Sequence, residues 1–348
     1  MKKLNAFLIT LVLFCVSCSS DNASKQYLAA GHQPEVIAYW MGRGPLPDPT
    51  YVTIFNYAFG HVNDSFNGVR INNEESLMAL SNLKKQKPDL KVVISIGGWG
   101  SGRFSEMAAD ENFRKSFVAD CKRVVDQFNL DGVDLDWEYP TQTAGGRISS
   151  SPNDIDNFTK LMSEIREMIG KDKLLTFASV STAQYVDFVA IEPIVDFVNI
   201  MTYDMGMPPR SHHNALFPSA LTNEGASCEE SVDAHIKAGI PPHKLVLGMP
   251  FYGKPTSGPY PRFWEVRNQR EFAEQWDDVA KVPYLTRRNP ETNETEFVYT
   301  YENPRSVALK CEWLKERGLR GAMYWEYSQD DYLGSLQKAA YTGVIGNK

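Results

Sequence analysis

Three acidic residues alternate with apolar ones in the segment LDGVDLDWEYP, residues 130–140. Asp134, Asp136 and Glu138 are spaced by two. Successive side chains of a β-strand point to opposite faces, so the three carboxyl groups would share one face. Carboxylates this close cannot all stay ionised, and at least one should titrate at unusually high pH. The spacing therefore predicts a carboxylic acid that remains protonated near neutral pH and can act as a general acid.

Two other interpretations of this segment are an acidic strand edge that faces solvent and a cation site. Apolar residues accompany the acids, which is unusual for a solvent-facing edge: Phe128, Val133, Leu135 and Trp137. Calcium loops place their oxygen ligands on a glycine-containing turn and do not need strand-like alternation. We therefore favour the catalytic interpretation.

Short apolar or alternating segments recur along the chain, most of them separated by stretches of helical length. The eight predicted strands are Val36–Trp40, Thr53–Phe59, Lys91–Ile96, Gly132–Glu138, Leu174–Ser179, Phe197–Met201, Leu245–Pro250 and Gly321–Trp325. The predicted helices are Glu74–Lys87, Ser105–Phe128, Asp154–Gly170, Cys228–Ala238 and Pro304–Arg317. This alternation indicates parallel βαβ units, and eight of them favour a closed (β/α)8 TIM barrel over an open doubly wound sheet. No glycine-rich dinucleotide or phosphate-binding fingerprint follows any of these strands.

The residues that follow the predicted strands are rich in polar and aromatic side chains. They include Tyr39 and Trp40, Phe59, Gly98 and Trp99, Glu138 and Tyr139, Met201 to Asp204, Tyr252, and Trp325 and Glu326. In (β/α)8 barrels the active site lies at the C-terminal ends of the strands. Acids and aromatics at one mouth, without a metal-ligating cluster, indicate a carbohydrate site, and we predict no metal and no other cofactor.

Composition narrows the classes of function. The 348 residues are 43% hydrophobic, enough for a sizeable core, and the formal net charge is −7. This charge and the lack of basic runs argue against nucleic acid or anionic lipid as the ligand. Beyond the N-terminal segment, Cys121, Cys228 and Cys311 are too few and too far apart for a disulfide framework or a zinc pattern. We expect Cys121 and Cys311 to be buried in helices.

The first 18 residues have the form of an export signal. Lys2 and Lys3 precede the apolar run Ala6–Val16, which is too short for a stable membrane anchor. The end of the segment, VSCSS, is typical of a bacterial lipoprotein signal, in which Cys18 becomes the lipidated first residue. We expect an exported lipoprotein held at a membrane or cell surface only through Cys18, with a soluble secreted protein as the alternative. Residues 19–33 would form a polar tether and residues 34–348 the barrel domain.

Together these motifs resemble family 18 of the glycoside hydrolases, the chitinase family. The resemblance extends from about Glu35 to Leu336 with the motifs in the order of the family. The matching segments are DGVDLDWEYP at 131–140, SIGGW at 95–99, MTYD at 201–204, PFYG at 250–253 and GAMYW at 321–325. The resemblance implies a (β/α)8 barrel that hydrolyses glycosidic bonds.

The resemblance also implies four catalytic roles. Glu138 would protonate the glycosidic oxygen and then act as base toward water, while Asp136 would orient and charge-stabilise the N-acetyl group of the substrate. Asp134 would lie behind Asp136 and share a proton with it, and Tyr203 would hydrogen-bond the acetamido oxygen. Because Glu138 and Asp136 share one strand, no separate carboxylate nucleophile opposes the acid. Family 18 is the substrate-assisted exception, in which the acetamide attacks through an oxazolinium intermediate and configuration is retained.

A substrate-binding surface is implied as well. Asp204 would help to hold the sugar, and Trp325 would form the floor under the sugar on the non-reducing side of the cut. Tyr39 and Phe59 would line the base of the pocket. The other implied binding residues come from the same motifs: Gly98, Trp99, Tyr139, Met201 and Tyr252.

Two departures from the family pattern bear on specificity. Lys254 stands where the family often has arginine, which keeps a cation but loses bidentate hydrogen bonding. Many members insert a sizeable α+β domain between the last two strands, whereas only about residues 256–298 are available here. We expect a short excursion with a low cleft wall, and therefore internal (endo) cleavage.

Three functions follow from this interpretation. The favoured one is a monomeric endohydrolase of β-1,4-N-acetylglucosaminide bonds in chitin or chitin oligomers. The second is an endo-β-N-acetylglucosaminidase for the chitobiose core of N-glycans, a branch that often varies at the position of Trp137. The third is a non-catalytic chitinase-like lectin, which the presence of Glu138 together with Asp136 and Tyr203 makes the least favoured.

Two further groups of residues allow more than one interpretation. His212 and His213 could be metal ligands, but no acid or cysteine at ligand spacing accompanies them, so a substrate-facing or solvated loop is expected. Tyr260, Phe263 and Trp264 in the insertion either stack on sugar or pack the insertion itself.

Overall fold

The computed structural model describes residues 33–143 and 148–346. The expected export signal, residues 1–18, and all but the last residue of the expected tether lie outside the described residues. Within the described ranges no helix is both long and apolar enough to cross a membrane.

Eight parallel strands close into a barrel, which confirms the predicted (β/α)8 fold. A short strand β3 (Val69–Ile71) pairs antiparallel with the second barrel strand. The barrel strands are β1 (Glu35–Trp40), β2 (Ile54–Val62), β4 (Lys91–Gly97), β5 (Gly132–Asp136), β6 (Leu174–Val180), β7 (Phe197–Met201), β8 (Leu245–Pro250) and β13 (Gly321–Trp325). The barrel closes because β1 pairs with both β2 and β13. Each barrel strand overlaps one predicted strand, since strands covered by helices on the outside read as apolar runs.

Helices cover the outside of the barrel, and the sequence misplaced one boundary among them. The described helices are α1 (Glu74–Asn82), α2 (Phe104–Ala109), α3 (Glu111–Gln127), α4 (Asp154–Ile169), α5 (Phe188–Ile191), α6 (Cys228–Ala238), α7 (Phe263–Arg267), α8 (Pro304–Glu316) and α9 (Ser335–Ile345). The predicted helix over residues 105–128 is divided into α2 and α3 at Asp110. The backbone of Asp110 is extended, and its carboxylate accepts hydrogen bonds from the backbone N–H groups of Asn112 and Phe113, which caps α3.

The hydrophobic core has two layers, and β5 contributes to both sides of the barrel wall. An inner cluster fills the barrel and consists of Ile37, Tyr39, Ile54, Ala58, Val93, Phe197, Val246 and Met323. Val133 and Leu135 belong to the outer layer, which lies between the strands and the helices. The alternating acids Asp134 and Asp136 therefore point into the barrel. The regular strand ends at Asp136, so Glu138 lies just beyond it rather than within it.

The insertion between β8 and β13 folds into a small antiparallel sheet. Its strands are β9 (Lys254–Pro255), β10 (Ala273–Asp277), β11 (Val282–Arg288) and β12 (Thr295–Thr300), in the order β10-β11-β12-β9. Helix α7 lies between β9 and β10. The sequence predicted an excursion over about residues 256–298 but not a sheet. The sheet begins at Lys254 of β9 and ends at Thr300 of β12. The insertion therefore starts only a few residues after the end of β8.

The three described cysteines are buried and unbridged, as expected for Cys121 and Cys311. Burial raises the pKa of the Cys228 thiol to about 11 and that of the Cys311 thiol to about 12. A thiol that stays protonated is a poor nucleophile and a poor metal ligand. These side chains therefore act as small apolar residues of the core.

An ion pair that is fully removed from solvent joins Lys310 of α8 to Glu302, which lies just before the helix. The side chains of Lys310 and Glu302 are both 0% exposed and contact each other directly. The Lys310 ammonium also donates to the backbone oxygen of Asn214, and the Ser306 hydroxyl donates to Glu302. Each charge is therefore compensated by its partner, and removal of one partner leaves the other buried and unpaired.

Replacing Lys310 by methionine is expected to lower the free energy of unfolding by about 3–5 kcal/mol, because the Glu302 carboxylate loses its counter-ion. Urea unfolding measures this change. The second substitution Glu302→Gln, made in the Lys310→Met background, should recover part of the loss. Lys115→Met is the matched control, since Lys115 pairs with Glu111 at the surface and should leave the unfolding midpoint unchanged. A Lys310→Met midpoint equal to that of the control would contradict this account.

Candidate active site

A pocket of about 610 Å³ opens at the C-terminal ends of the barrel strands. This volume lies within the range of small-molecule sites, about 300–1,000 Å³. The pocket is lined by Phe59, Trp99, Asp136, Glu138, Tyr139, Val180, Ser181, Met201, Tyr203, Asp204, Tyr252, Lys254, Tyr260, Trp325 and Gln329. Ten of the thirteen residues expected from the sequence are among them, and Tyr39, Gly98 and Asp134 are not.

Asp134 lies beneath the pocket rather than in its wall. It is fully buried, and both of its oxygens accept hydrogen bonds, from Tyr39 Oη at 2.9 Å, Ser95 Oγ at 2.7 Å, Thr176 Oγ1 at 2.6 Å and Asn199 Nδ2 at 3.1 Å. Burial raises the pKa of Asp134, and these four hydrogen bonds oppose the rise. Asp134 therefore anchors the interior of the barrel below the reacting groups.

Tyr39 and Gly98, expected at the base of the pocket and among its binding residues, lie next to the pocket rather than in its lining. Tyr39 is only 2% exposed, and its hydroxyl group donates a hydrogen bond to Asp134, so it supports the pocket from below. Gly98 has a φ of +90°, and a Cβ there would lie 2.5 Å from the ring of Phe59. Only glycine allows this close approach in that backbone conformation, and Gly98 thus contributes space for Phe59 rather than a contact of its own.

Asp136 is the acid at the end of β5 that lines the pocket. Its Oδ1 is buried and has no hydrogen-bond partner among the described residues. Burial raises the pKa of Asp136 well above its ordinary value, and the negative charges of Glu138 and Asp134 raise it further. The two acids of β5 therefore differ, because both oxygens of Asp134 accept hydrogen bonds whereas Asp136 Oδ1 has no partner among the described residues.

Glu138 lies two residues further, in the pocket wall. Burial raises its pKa to about 7, and a hydrogen bond with Tyr139 opposes the rise while the nearby Asp204 charge adds to it. Near neutral pH a substantial fraction of Glu138 is therefore protonated. A carboxylic acid in this state can donate a proton to a leaving group and can afterwards accept one from water.

Asp204 has the opposite character. Burial would raise its pKa, but His213, Lys254 and Tyr252 together hold the pKa of Asp204 well below its usual range. The Tyr252 hydroxyl donates to Asp204 Oδ1 at 2.8 Å, and Lys254 Nζ lies 3.0 Å from the same oxygen. Asp204 is thus a fixed negative charge in the pocket wall.

Aromatic rings form two stacked pairs around these acids. Trp325 stacks on Phe59 with ring centroids 5.4 Å apart, and Tyr252 stacks on Tyr260 at 5.8 Å. Trp99 stands at the mouth with 66% of its surface exposed. Burial raises the pKa of Tyr203 well above its ordinary value, so its phenol remains a hydrogen-bond donor. Flat apolar faces beside convergent polar groups suit a sugar ring, which has an apolar face and a polar rim.

Five pocket residues were not among those expected from the sequence: Val180, Ser181, Lys254, Tyr260 and Gln329. Lys254 was noted only as a departure from the family pattern, and Tyr260 was left between sugar stacking and packing. Gln329 follows the last barrel strand, where no motif marks it. Lys254 could have been found from its position after the strand end, whereas Tyr260 depends on how the insertion folds back over the barrel.

His212 and His213 are both fully buried, in contrast to the expected substrate-facing or solvated loop. His212 Nε2 lies 3.2 Å from Asp277 in the insertion, whereas the His213 ring lies beside Asp204. Within residues 33–143 and 148–346 no group of three or more His, Cys, Asp or Glu residues is arranged to hold a metal ion.

Similar proteins point to one family. The profile described as Glycosyl hydrolases family 18 matches residues 27–330. Chitinase A1 of Niallia circulans is 31% identical over 91% of this chain and 58% of its own length. Probable chitinase 2 of Drosophila melanogaster is 33% identical over 74% of this chain and 60% of its own length. The chain thus spans well under two thirds of these two relatives.

A solved structure agrees with the sequence matches over a whole chain. A glycoside hydrolase family 18 N-acetylglucosaminidase from Paenibacillus barengoltzii superimposes with a TM-score of 0.79 and 31% identity. The alignment covers 89% of this chain and 100% of that one. The acidic segment, the barrel and the pocket aromatics described above lie within the matched region, and the chain belongs to family 18 of the glycosyl hydrolases.

Proposed function

We propose that this protein is a retaining glycoside hydrolase that cleaves β-1,4-N-acetylglucosaminide bonds in chitin or chitin oligomers. The observation that carries the proposal is the pairing of Glu138, an acid with a pKa of about 7, with the unpartnered Oδ1 of Asp136 in one pocket. Two relatives named as chitinases support the choice of substrate. A lectin would gain nothing from two carboxyl groups whose pKa values are raised at the centre of the site.

In the proposed reaction the proton moves from Glu138 to the glycosidic oxygen as the bond between that oxygen and C1 breaks. The acetamido oxygen of the same sugar attacks C1, which forms an oxazolinium intermediate. Glu138, now ionised, takes a proton from the incoming water, and the water oxygen bonds to C1 as the acetamide leaves. Two displacements at C1 retain its configuration.

Asp136 has the role of holding the acetamide in place. Its Oδ1 lacks a partner among the described residues, and the acetamido N–H is a donor of the kind that it needs. Positive charge that develops on the acetamide favours the ionised form of Asp136, and the carboxylate then stabilises that charge. The phenol of Tyr203 supplies a donor for the acetamido oxygen, and Trp325 supplies an apolar floor for the ring.

A second candidate substrate is the chitobiose core of N-glycans. It contains the same linkage, and the family 18 structure described above is named an N-acetylglucosaminidase rather than a chitinase. Trp137, on which the sequence-based preference for chitin rested, is 3% exposed and stacks on Phe104 at 5.3 Å. It therefore packs beneath the site, and the preference for chitin rests on the named relatives instead.

We also propose that the protein is exported and held at a membrane or cell surface through a lipid on Cys18. The proposal rests on Lys2, Lys3 and the apolar run that follows them. Substrate at the cell exterior suits an enzyme for insoluble polymers. Fractionation of wild type and Cys18→Ala in the native host tests it, since only the wild type should sediment with membranes.

Replacing Glu138 by glutamine is expected to reduce hydrolysis by at least about 10²-fold, because the amide cannot donate the proton. Binding of an N-acetylglucosamine oligomer, measured by calorimetry, should remain within a few-fold of wild type. Glu164→Gln, which alters a carboxylate on α4 paired with Arg114 outside the pocket, is the control and should retain activity. If Glu138→Gln loses oligomer binding as completely as hydrolysis, the residue has a structural role instead.

The pH dependence of kcat/KM should show a falling limb with a midpoint near pH 7, where Glu138 titrates. Its pKa is raised, so the active protonated form is present below the midpoint and is lost above it. Each unit of pH beyond the limb should lower kcat/KM about tenfold. Initial rates on a soluble oligomer from pH 4 to pH 10 measure this, and a profile flat to pH 9 would exclude Glu138 as the proton donor.

Product analysis separates the candidate substrates. The soluble chain from Asp21 onward is incubated with chitin oligomers and, separately, with an intact N-glycoprotein. Release of short N-acetylglucosamine oligomers supports the proposed chitinase and reports whether cleavage is internal. Release of whole glycans that leave one N-acetylglucosamine on the protein supports the second candidate. Oligomer binding without products from either substrate would point to a lectin.

A further inference from the structure

Two consecutive buried histidines serve different parts of the molecule. His212 contacts Asp277 Oδ2 at 3.2 Å and Thr300 Oγ1 at 3.3 Å, and both partners belong to the insertion. His213 turns toward the pocket, where its Nδ1 accepts a hydrogen bond from the Asp204 backbone N–H at 3.5 Å. The mechanism described above uses neither ring. Because they are adjacent in the chain and equally buried, a substitution of His212 is a suitable control for the same substitution of His213.

Asp204, which His213 contacts, is held in an unusual conformation. Its φ is +60°, in the left-handed region that a residue other than glycine adopts only when its surroundings compensate. His213 Nδ1 lies 3.7 Å from Asp204 Oδ1, and the His213 ring packs on Tyr252 at 5.3 Å. The same Oδ1 takes the Tyr252 hydroxyl and the Lys254 ammonium. The three side chains together restrain both the backbone and the carboxylate of Asp204.

The charges around this group show what His213 can contribute. Burial lowers the pKa of His213, so the ring is neutral near pH 7, and Asp204, Lys254 and Glu302 are the charged groups that act on it. The positive charge that balances Asp204 therefore comes from Lys254. His213 acts through the hydrogen bond that it accepts from the Asp204 backbone and through its packing on Tyr252, rather than through charge.

The position of Asp204 affects the pKa of Glu138, because both carboxyl groups line the same pocket. The titratable groups that interact with it are Tyr139, its neighbour in the chain, Asp136 at the end of β5, and Tyr203 and Asp204 from the loop after β7. Asp204 is the one charged group among them that a separate loop carries. Its effect on the proton donor depends on the contacts that fix that loop.

We propose that His213 is a positioning residue of the reaction: it holds Asp204 in the wall of the pocket that Glu138 also lines, and so sets the upper pH limit of proton donation. The inference rests on the proposed function, because it assigns Glu138 as the proton donor. In this account His213 supports the active site, whereas His212 attaches the insertion to the barrel.

The test compares three variants by the pH dependence of kcat/KM on a soluble N-acetylglucosamine oligomer. His213→Ala should move the falling limb to lower pH, so that the ratio of kcat/KM at pH 8 to that at pH 6 drops about threefold. His213→Asn keeps a polar group near the position of Nδ1 and should restore the wild-type limb. His212→Ala, equally buried, should leave the limb in place.

A merely structural role for His213 would lower the stability or the amount of active protein without moving the limb. The proposal is overturned if His213→Ala keeps the wild-type limb, or if His212→Ala moves it equally. It is also overturned if the shifts of His213→Ala and Asp204→Asn add in the double variant, because residues that act through one another do not add.

A second measurement covers the case in which His213→Ala does not fold. The chain contains six histidines, whose ring nitrogens can be followed by NMR in wild type and in Asp204→Asn. The His213 signals should change most, and unchanged His213 signals would overturn the proposal. This spectrum does not require activity. A wild-type protein that hydrolyses no N-acetylglucosamine substrate would refute the proposed function, whereas an active one with an unmoved limb would refute only the role of His213.

Discussion

The site depends on a carboxylate buried at the centre of the barrel. Asp134 on β5 receives hydrogen bonds from Tyr39, Ser95, Thr176 and Asn199, which lie on β1, β4, β6 and β7. A carboxylate without partners would be too costly to bury, and donors on four other strands compensate that cost. The same contacts fix the height of β5 relative to its neighbours. Since Asp136 and Glu138 follow along the same chain, their depth in the pocket is set by an interaction below them.

Three carboxyl groups in one pocket differ in ionisation for separate physical reasons. Asp136 is buried near two other acids, which raises its pKa, and no described donor offsets this. The pKa of Glu138 is raised mainly by burial, to about 7. Burial would raise the pKa of Asp204 as well, but His213, Lys254 and Tyr252 lower it below its ordinary value. The pocket therefore holds one carboxyl group that titrates near neutral pH, one with an oxygen that has no described partner and one that stays ionised, a combination suited to acid–base catalysis.

The sequence predicted the barrel and the acids well because both have local signals. Apolar strand segments mark the eight barrel strands, and the two-residue spacing of the acids marks one face. The sequence did not show that Tyr39 and Gly98 lie just outside the pocket lining, since a tyrosine beside a strand end can face the pocket or the barrel interior. Ser95, Thr176 and Asn199 carry no local mark as partners of Asp134. The contact of His213 with Asp204 spans nine residues of loop whose course no periodicity reveals.

The small insertion shows that length is a poor guide to what an inserted segment contributes. Its first strand supplies Lys254 to the carboxylate of Asp204, and the turn that follows brings Tyr260 onto Tyr252. Asp277 and Thr300 hold the insertion against His212, directly beside the histidine that contacts Asp204. A change in the insertion can therefore reach the pocket through one peptide unit. The insertion and the pocket carboxylate of Asp204 are thus connected through two consecutive residues of one loop, so that a substitution on one side can shift the position of the other.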